Sequence, residues 1–163
     1  MNWDAIGALA EVAGTLAVVI TLAYLAIQVK HAKLATADAN RLTRASGVRE
    51  MTLLQAQNDE VRSSVLKTLG LESYYSEFGE KFSVESQEAQ RFDYVAQYYF
   101  WLHWGQFSTT LTDKDLEELR HIIGVFYSLP AIKHAWNNSP FGKVFFESDF
   151  VEFVDSIIGT EDA

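Results

Sequence analysis

From Ala5 to Val29 the chain runs for twenty-five residues with Glu11 as its one charged side chain. A helix of that length rises about 37 Å, more than the roughly 30 Å of a bilayer's hydrocarbon core. The stretch is therefore expected to cross a membrane. The competing reading is a core helix of a soluble protein, and it is disfavoured because apolar residues run all round the helix along its length. A cleaved signal peptide would put basic residues before the apolar core and a small-residue cleavage site after it. Here the acidic "MNWDAIG" leads and Lys30 follows, the reverse order. Trp3 and Tyr24 lie towards the two ends, where amphipathic rings favour the headgroup level, and Lys30 and Lys33 follow directly. These four are the expected interface anchors.

Charge then sets the direction of crossing. Met1 to Val29 holds two acids and no Lys or Arg, and Lys30 to Glu50 holds five basic residues against two acids. The remainder holds eight basic residues against eighteen acids, so the three parts carry −2, +3 and −10. Because Lys30, Lys33, Arg41, Arg44 and Arg49 all follow the apolar stretch, the positive-inside rule predicts an external N-terminus and a cytoplasmic C-terminal bulk. The acidic bulk repels phosphate backbones, so no nucleic-acid partner is expected. The chain has no cysteine, which removes disulfides, thiolate nucleophiles and Cys-ligated zinc from consideration.

No proline occurs between Trp3 and Asn58, and after the span only Gly47 interrupts good helix formers, so one helix is expected to continue past Lys30. Read in sevens, Gly7, Gly14, Thr21, Gln28, Ala35 and Leu42 share one position. Glu11, Val18, Leu25, Ala32, Ala39 and Ser46 share the position four later, and together the two rows form one stripe. Ala10 and Ala17 flank it within the span. Small residues let helix backbones approach where lipid supplies no hydrophobic drive. Beyond Lys30 the stripe stays uncharged, while Lys30, Lys33, Asp38, Arg41 and Arg44 fall off it. This Gly/Ala seam suits a left-handed pairing with another copy or with another membrane protein. Against it stands the abundance of alanine and glycine in spans of every kind.

Glu11 lies on the seam between Gly7 and Gly14. A carboxylate in a span is a functional candidate by default, here as a ring of acids at the outer mouth of a cation pore. The plainer reading is that Glu11, about 12 Å along the axis from Trp3, reaches the outer headgroups.

After Asn58 the chain reads as short helices joined by tight connections. "NDEVRSSVLKTLG" has Asn58 as cap, Asp59 and Glu60 where the helix dipole favours acids, and Gly70 as stop. "ESYYSEFGEKFSVES" shows no sustained period and is expected to be a loop carrying aromatic side chains to the core. A helix follows from about Ser86 to Ser108. Next comes "TDKDLEELRHIIGVFYS", with Thr112 and Asp115 at capping-box spacing, and then Pro130 at the first turn of "PAIKHAWNN". A last helix is expected from about Ser148 to Ile158, ending at Gly159. With no strand alternation, hairpin turn or repeat, the domain reads as all-α.

Within "FDYVAQYYFWLHWGQF", the residues Phe92, Val95, Tyr99, Leu102 and Gln106 fall on one helical face, with Tyr98, Trp101 and Phe107 beside it. That pattern predicts the central helix of a small bundle rather than a cofactor pocket or base-stacking platform. His103, His121 and His134 share no i, i+4 pair and no H-E-x-x-H motif, so no metal site is expected. Asp113, Asp115, Glu117 and Glu118 lack the glycine turn and closing Glu of a calcium loop and are expected to form a solvated face. No phosphate loop, nucleophile elbow or dinucleotide fingerprint occurs, so no residue is assigned to catalysis or to a cofactor.

In order, "AEVAGTLAVVITLAYLAIQVK", an Ala/Arg-rich helix, "RFDYVAQYYFWLHWGQF", "AWNNSP" and "DFVEFVDSII" resemble a group of uncharacterised bacterial proteins with one N-terminal span. The resemblance covers nearly the whole chain and implies a bacterial inner-membrane location and a helical cytoplasmic domain. It implies no activity.

The chain thus reads as a short external tail (1–4), a transmembrane helix (5–29), a juxtamembrane helix (30–57) and a cytoplasmic helical domain (58–163). The leading functional expectation is an interaction protein that self-associates, or pairs with a membrane partner, through the seam. A homo-oligomeric cation pore using Glu11 is the alternative. A membrane-bound enzyme or a ligand sensor built on the aromatic helix, its ligand unspecified, comes after these.

Overall fold

The structure is a computed structural model that describes residues 3–110 and 112–159, the side chains of Ala5 and Ala10 excepted. All regular structure among the described residues is helical. In order the elements are α1 (Trp3–Gln57), α2 (Asp59–Leu69), α3 (Glu72–Phe82), α4 (Ser86–Thr109), α5 (Asp113–Tyr127), α6 (Pro130–Asn138), a 3-10 turn (Lys143–Phe145) and α7 (Ser148–Ile158). The chain divides into two compact units, Met1–Asn40 and Arg41–Ala163.

The first unit is the forward part of α1. It contains an 18-residue window of mean hydropathy 2.1, none of it buried, so it is long and apolar enough to cross a membrane. Thr15, Thr21 and Thr36 return their hydroxyls to the carbonyls of Glu11, Ala17 and Ala32 at 2.8 to 2.9 Å. Each hydroxyl is thereby satisfied within the helix.

The second unit begins with the end of α1, which buries Ala45, Thr52 and Ala56. These residues recur at one-face spacing, seven and then four apart. Asn58 separates α1 from α2, and its Oδ1 accepts from the N–H groups of Glu60 and Val61 at 3.0 and 3.1 Å. Gly70 ends α2 at φ +65°, a left-handed conformation that glycine adopts without steric penalty. Thr112 accepts from the Asp115 N–H at 3.2 Å, and Pro130 opens α6, both as the sequence predicts.

Two expectations are corrected. "ESYYSEFGEKFSVES" is not a loop: Glu72–Phe82 is helix α3. Its period is carried by Tyr75, Phe78 and Gly79, which are buried, and Phe82, which is half-buried. Gly79 weakens the pattern, yet it is there for contact: a Cβ on it would lie 2.7 Å from the Val84 carbonyl oxygen. The second correction concerns α4. Phe92 and Leu102 are half-buried, while Val95, Tyr99 and Gln106 are exposed. The buried stripe lies one residue further on, at Asp93, Ala96, Phe100 and His103, with Ala89, Gln90, Tyr94, Gln97, Trp104 and Gly105 around it. One residue is a turn of about 100°. Aromatic side chains stand on all sides of α4, so their density did not mark the buried face, where Asp93 and Ala96 sit beside Phe100.

The main core gathers on Trp136 of α6, which lies 5.2 Å from both Phe100 and Tyr127 and 5.8 Å from Phe150 by ring centroid. Trp101 is half-buried against Phe146, and Phe107 packs on Phe150 and Phe153. A second, smaller core holds Tyr75, Phe78 and Ala89 where α3 meets α4. Between these helices lies the polar cluster described below.

Candidate functional site

Two features are candidates: the exposed face of α1 in the first unit, and a polar cluster buried in the second. Along α1, the seam residues Gly7, Glu11, Gly14, Ala17, Val18, Thr21, Leu25, Gln28, Ala32, Ala35 and Ala39 are exposed. The side chain of Ala10 lies outside the described residues. Leu42 is exposed as well, at 37%, but its Cδ2 lies 3.7 Å from where a Cβ on Gly105 would sit. Its side chain therefore serves packing within the second unit. Among the anchors, Trp3 and Tyr24 are 68% and 59% exposed, and Lys30 and Lys33 are exposed. On Gly7 and Gly14 an added Cβ would meet nothing within 4 Å.

The buried cluster centres on Asp93, a fully buried carboxylate on α4. Its Oδ2 accepts three hydrogen bonds: from Tyr75 Oη of α3 at 2.9 Å, Gln97 Nε2 at 3.0 Å and Ser139 Oγ at 3.0 Å. Oδ1 has no hydrogen-bond partner among the described residues, and the buried hydroxyls of Tyr74 and Tyr94 likewise have none. Burial raises the Asp93 carboxyl to about 6, against the lowering effect of its three donors. Burial, then the Asp93 charge, pushes the Tyr74 and Tyr75 hydroxyls well above the ordinary tyrosine range. Nothing in the sequence reading singled out this cluster. Its signal was the polar run Gln90, Asp93 and Gln97, spaced three and four residues apart beside Ala89, Ala96 and Phe100 on one face of a helix otherwise rich in aromatics.

Beside the cluster, Arg62 of α2 is buried, and its Nη1 donates to the Gln55 and Ala56 carbonyls at 3.3 and 3.2 Å. It thereby satisfies carbonyls that the end of α1 leaves without intrahelical partners. Its other Nη pairs with Asp59, which also receives Arg91 at 3.1 Å. The Arg62 carbonyl in turn accepts from Gln90 Nε2 at 3.2 Å. These bonds join the end of α1, α2 and α4.

The three histidines of the helical domain occupy different surroundings. His103 is buried beside Phe126 and Tyr127, and burial lowers it to about 4. His134 stacks near Phe78 and Phe82 with Lys81 Nζ at 3.0 Å, and burial together with that charge lowers its pKa. His121 is exposed, as are Asp113, Asp115, Glu117 and Glu118. Among the described residues no group of three or more His, Asp or Glu is placed to hold a metal ion. No protein-family model matches the chain, and no curated protein or solved structure matches it either.

Proposed function

We propose that the protein is a single-span membrane protein of the bacterial inner membrane, with its N-terminus outside and its helical domain in the cytoplasm. In this reading it is an interaction protein that self-associates, or pairs with another membrane protein, through the Gly/Ala seam. The observation that carries the proposal is the forward part of α1, an apolar helix whose most apolar window has no buried residue in the isolated chain. Water disfavours such a surface strongly, so lipid or other helices must cover it. The basic residues that begin at Lys30 support the orientation.

The test begins with an alkaline wash of membranes containing the full-length protein, followed by the mass of the complex in lipid nanodiscs. Retention in the membrane and a multiple of the chain mass are expected. Gly14→Leu should weaken association by forcing backbones apart, whereas Val19→Leu, off the seam, should leave it unchanged. Release by the wash overturns the anchor; a monomer overturns self-association, and equal association of both variants overturns the seam as its contact.

The one acid of the span favours a second reading, a narrow cation pore with Glu11 at its outer mouth. Reconstituted bilayers should then conduct cations, and Glu11→Gln should reduce that conductance while the oligomer persists. Bilayers without conductance for the parent protein exclude it.

A further inference from the structure

Among the described acids of the helical domain, Asp93 alone is fully buried, and its three hydrogen-bond partners are all uncharged. Most buried carboxylates are paired with a cation, because an ionised group taken from water without one is strongly destabilised. The groups around Asp93 supply no such charge. From α3 come Tyr74 and Tyr75; from α4 itself come Tyr94 and Gln97; from the end of α6 comes Ser139. On α6 proper, His134 faces Lys81 and the Phe78 and Phe82 rings instead. The one buried Lys or Arg among the described residues, Arg62 of α2, acts electrostatically on Tyr94, and its guanidinium is held by Asp59 and by the Gln55 and Ala56 carbonyls. The three donors also converge on one oxygen, Oδ2, and leave Oδ1 facing none.

We propose that Asp93 is a proton-binding site at the joint of α3, α4 and the Ser139 turn, through which proton uptake tightens the seating of α3. The proton comes from solvent and settles on Oδ1, since Oδ2 is already occupied by three donors. The carboxyl passes from −1 to neutral, and the bonds from Tyr75, Gln97 and Ser139 can stay in place. When the proton leaves, a bare charge is sealed between helices. Moving α3 outward then hydrates it, because that helix carries Tyr75, which donates to Oδ2, and the half-buried Tyr74.

The direction with pH follows from linkage. Burial raises the folded carboxyl to about 6 from an ordinary 3.8, so the closed joint binds the proton more tightly than an opened one. The full stabilisation is present below the ordinary value and is lost as pH rises through about 6. Acidification closes the joint, and a neutral or alkaline medium favours its opening.

The test uses the full-length protein in mild detergent, with 13C-labelled aspartate followed by NMR across pH 3.5 to 8. The Asp93 carboxyl carbon should titrate near 6, and Tyr75→Phe, which removes one donor to the ionised form, should move the midpoint higher still. In hydrogen exchange corrected for intrinsic rates, opening of α3 should become more frequent from pH 4 to 7.5, by up to on the order of 100-fold. Asp93→Asn keeps the acceptor for Tyr75 and Ser139 but cannot ionise, so its α3 should show no such rise. A parent midpoint near 4, or the same rise in Asp93→Asn, overturns the proposal. Should Asp93→Asn fail to fold, the parent titration and the Tyr75→Phe shift decide it.

Discussion

The indole N–H of Trp136 donates to Asp155 Oδ1 at 2.9 Å, tying the centre of the core on α6 to α7. Lys143, from the 3-10 turn between those helices, donates to Asp155 Oδ2 at 3.0 Å. The two bonds differ in worth because Trp136 is fully buried, whereas the Lys143 side chain is 34% exposed. Asp155→Ala strands the indole donor and should cost about 1 to 3 kcal/mol. Lys143→Met removes only a solvated ion pair and should cost roughly 1 kcal/mol or less. Thermal melts of the full-length protein in detergent should rank the variants in that order.

Phe100 is fully buried, while its neighbour Tyr99 is 39% exposed and packs on Phe126. Phe100→Ala should therefore destabilise the protein by about 3 to 5 kcal/mol through the cavity it leaves between Tyr127 and Trp136. Tyr99→Ala should cost roughly 1 kcal/mol or less. Comparable losses for the two variants in chemical denaturation would contradict the orientation of α4.

Two glycines separate close contact from mere tolerance. At Gly79 an added Cβ would stand 2.7 Å from a backbone oxygen, whereas at Gly105 it would meet the flexible Leu42 Cδ2 at 3.7 Å. Gly79→Ala should lower stability by about 1 to 3 kcal/mol as the α3–α4 turn is forced apart. Gly105→Ala should be neutral or stabilising by up to about 1 kcal/mol, since alanine favours a helix interior. Melting temperatures of the pair supply the comparison.

His103 and Asp93 should tilt the stability curve in opposite senses. Burial lowers His103 to about 4, so its neutral form is the folded one. Its contribution is present above its ordinary value of 6.5 and is lost as pH falls through about 4. Asp93 contributes most at low pH and loses that contribution as pH rises through about 6. Over pH 4 to 6.5 the two largely offset, each worth about 3 kcal/mol at most. His103→Phe should thus leave a protein that grows more stable on acidification in this range. Asp93→Asn should leave one that grows less stable.

Topology is tested by labelling in intact cells. A cysteine introduced at Asn2 should react with an impermeant thiol reagent and one at Glu161 should not, since the chain has no cysteine of its own to interfere. Reversed labelling would place the basic segment from Lys30 to Arg49 outside and overturn the assignment.

What the sequence alone determined is local. The apolar run before Lys30, the Asn58 and Thr112 caps, the Gly70 stop and Pro130 at a first turn all appear in the helices where their chemistry requires them. Each depends on groups within a few residues along one chain segment, so reading the segment is enough. What only the tertiary structure decided is which side of each segment meets which neighbour. On α4 the apolar and aromatic residues surround the helix, and the choice of buried face fell to Asp93, Ala96 and Phe100 because Ala89 and Ala96 are small enough to let other helices approach. α3 holds together through Tyr75 and Phe78 against Ala89, an energy that no window of its own sequence contains. Ser139 comes to Asp93 from 46 residues away, a closure made by folding rather than by spacing.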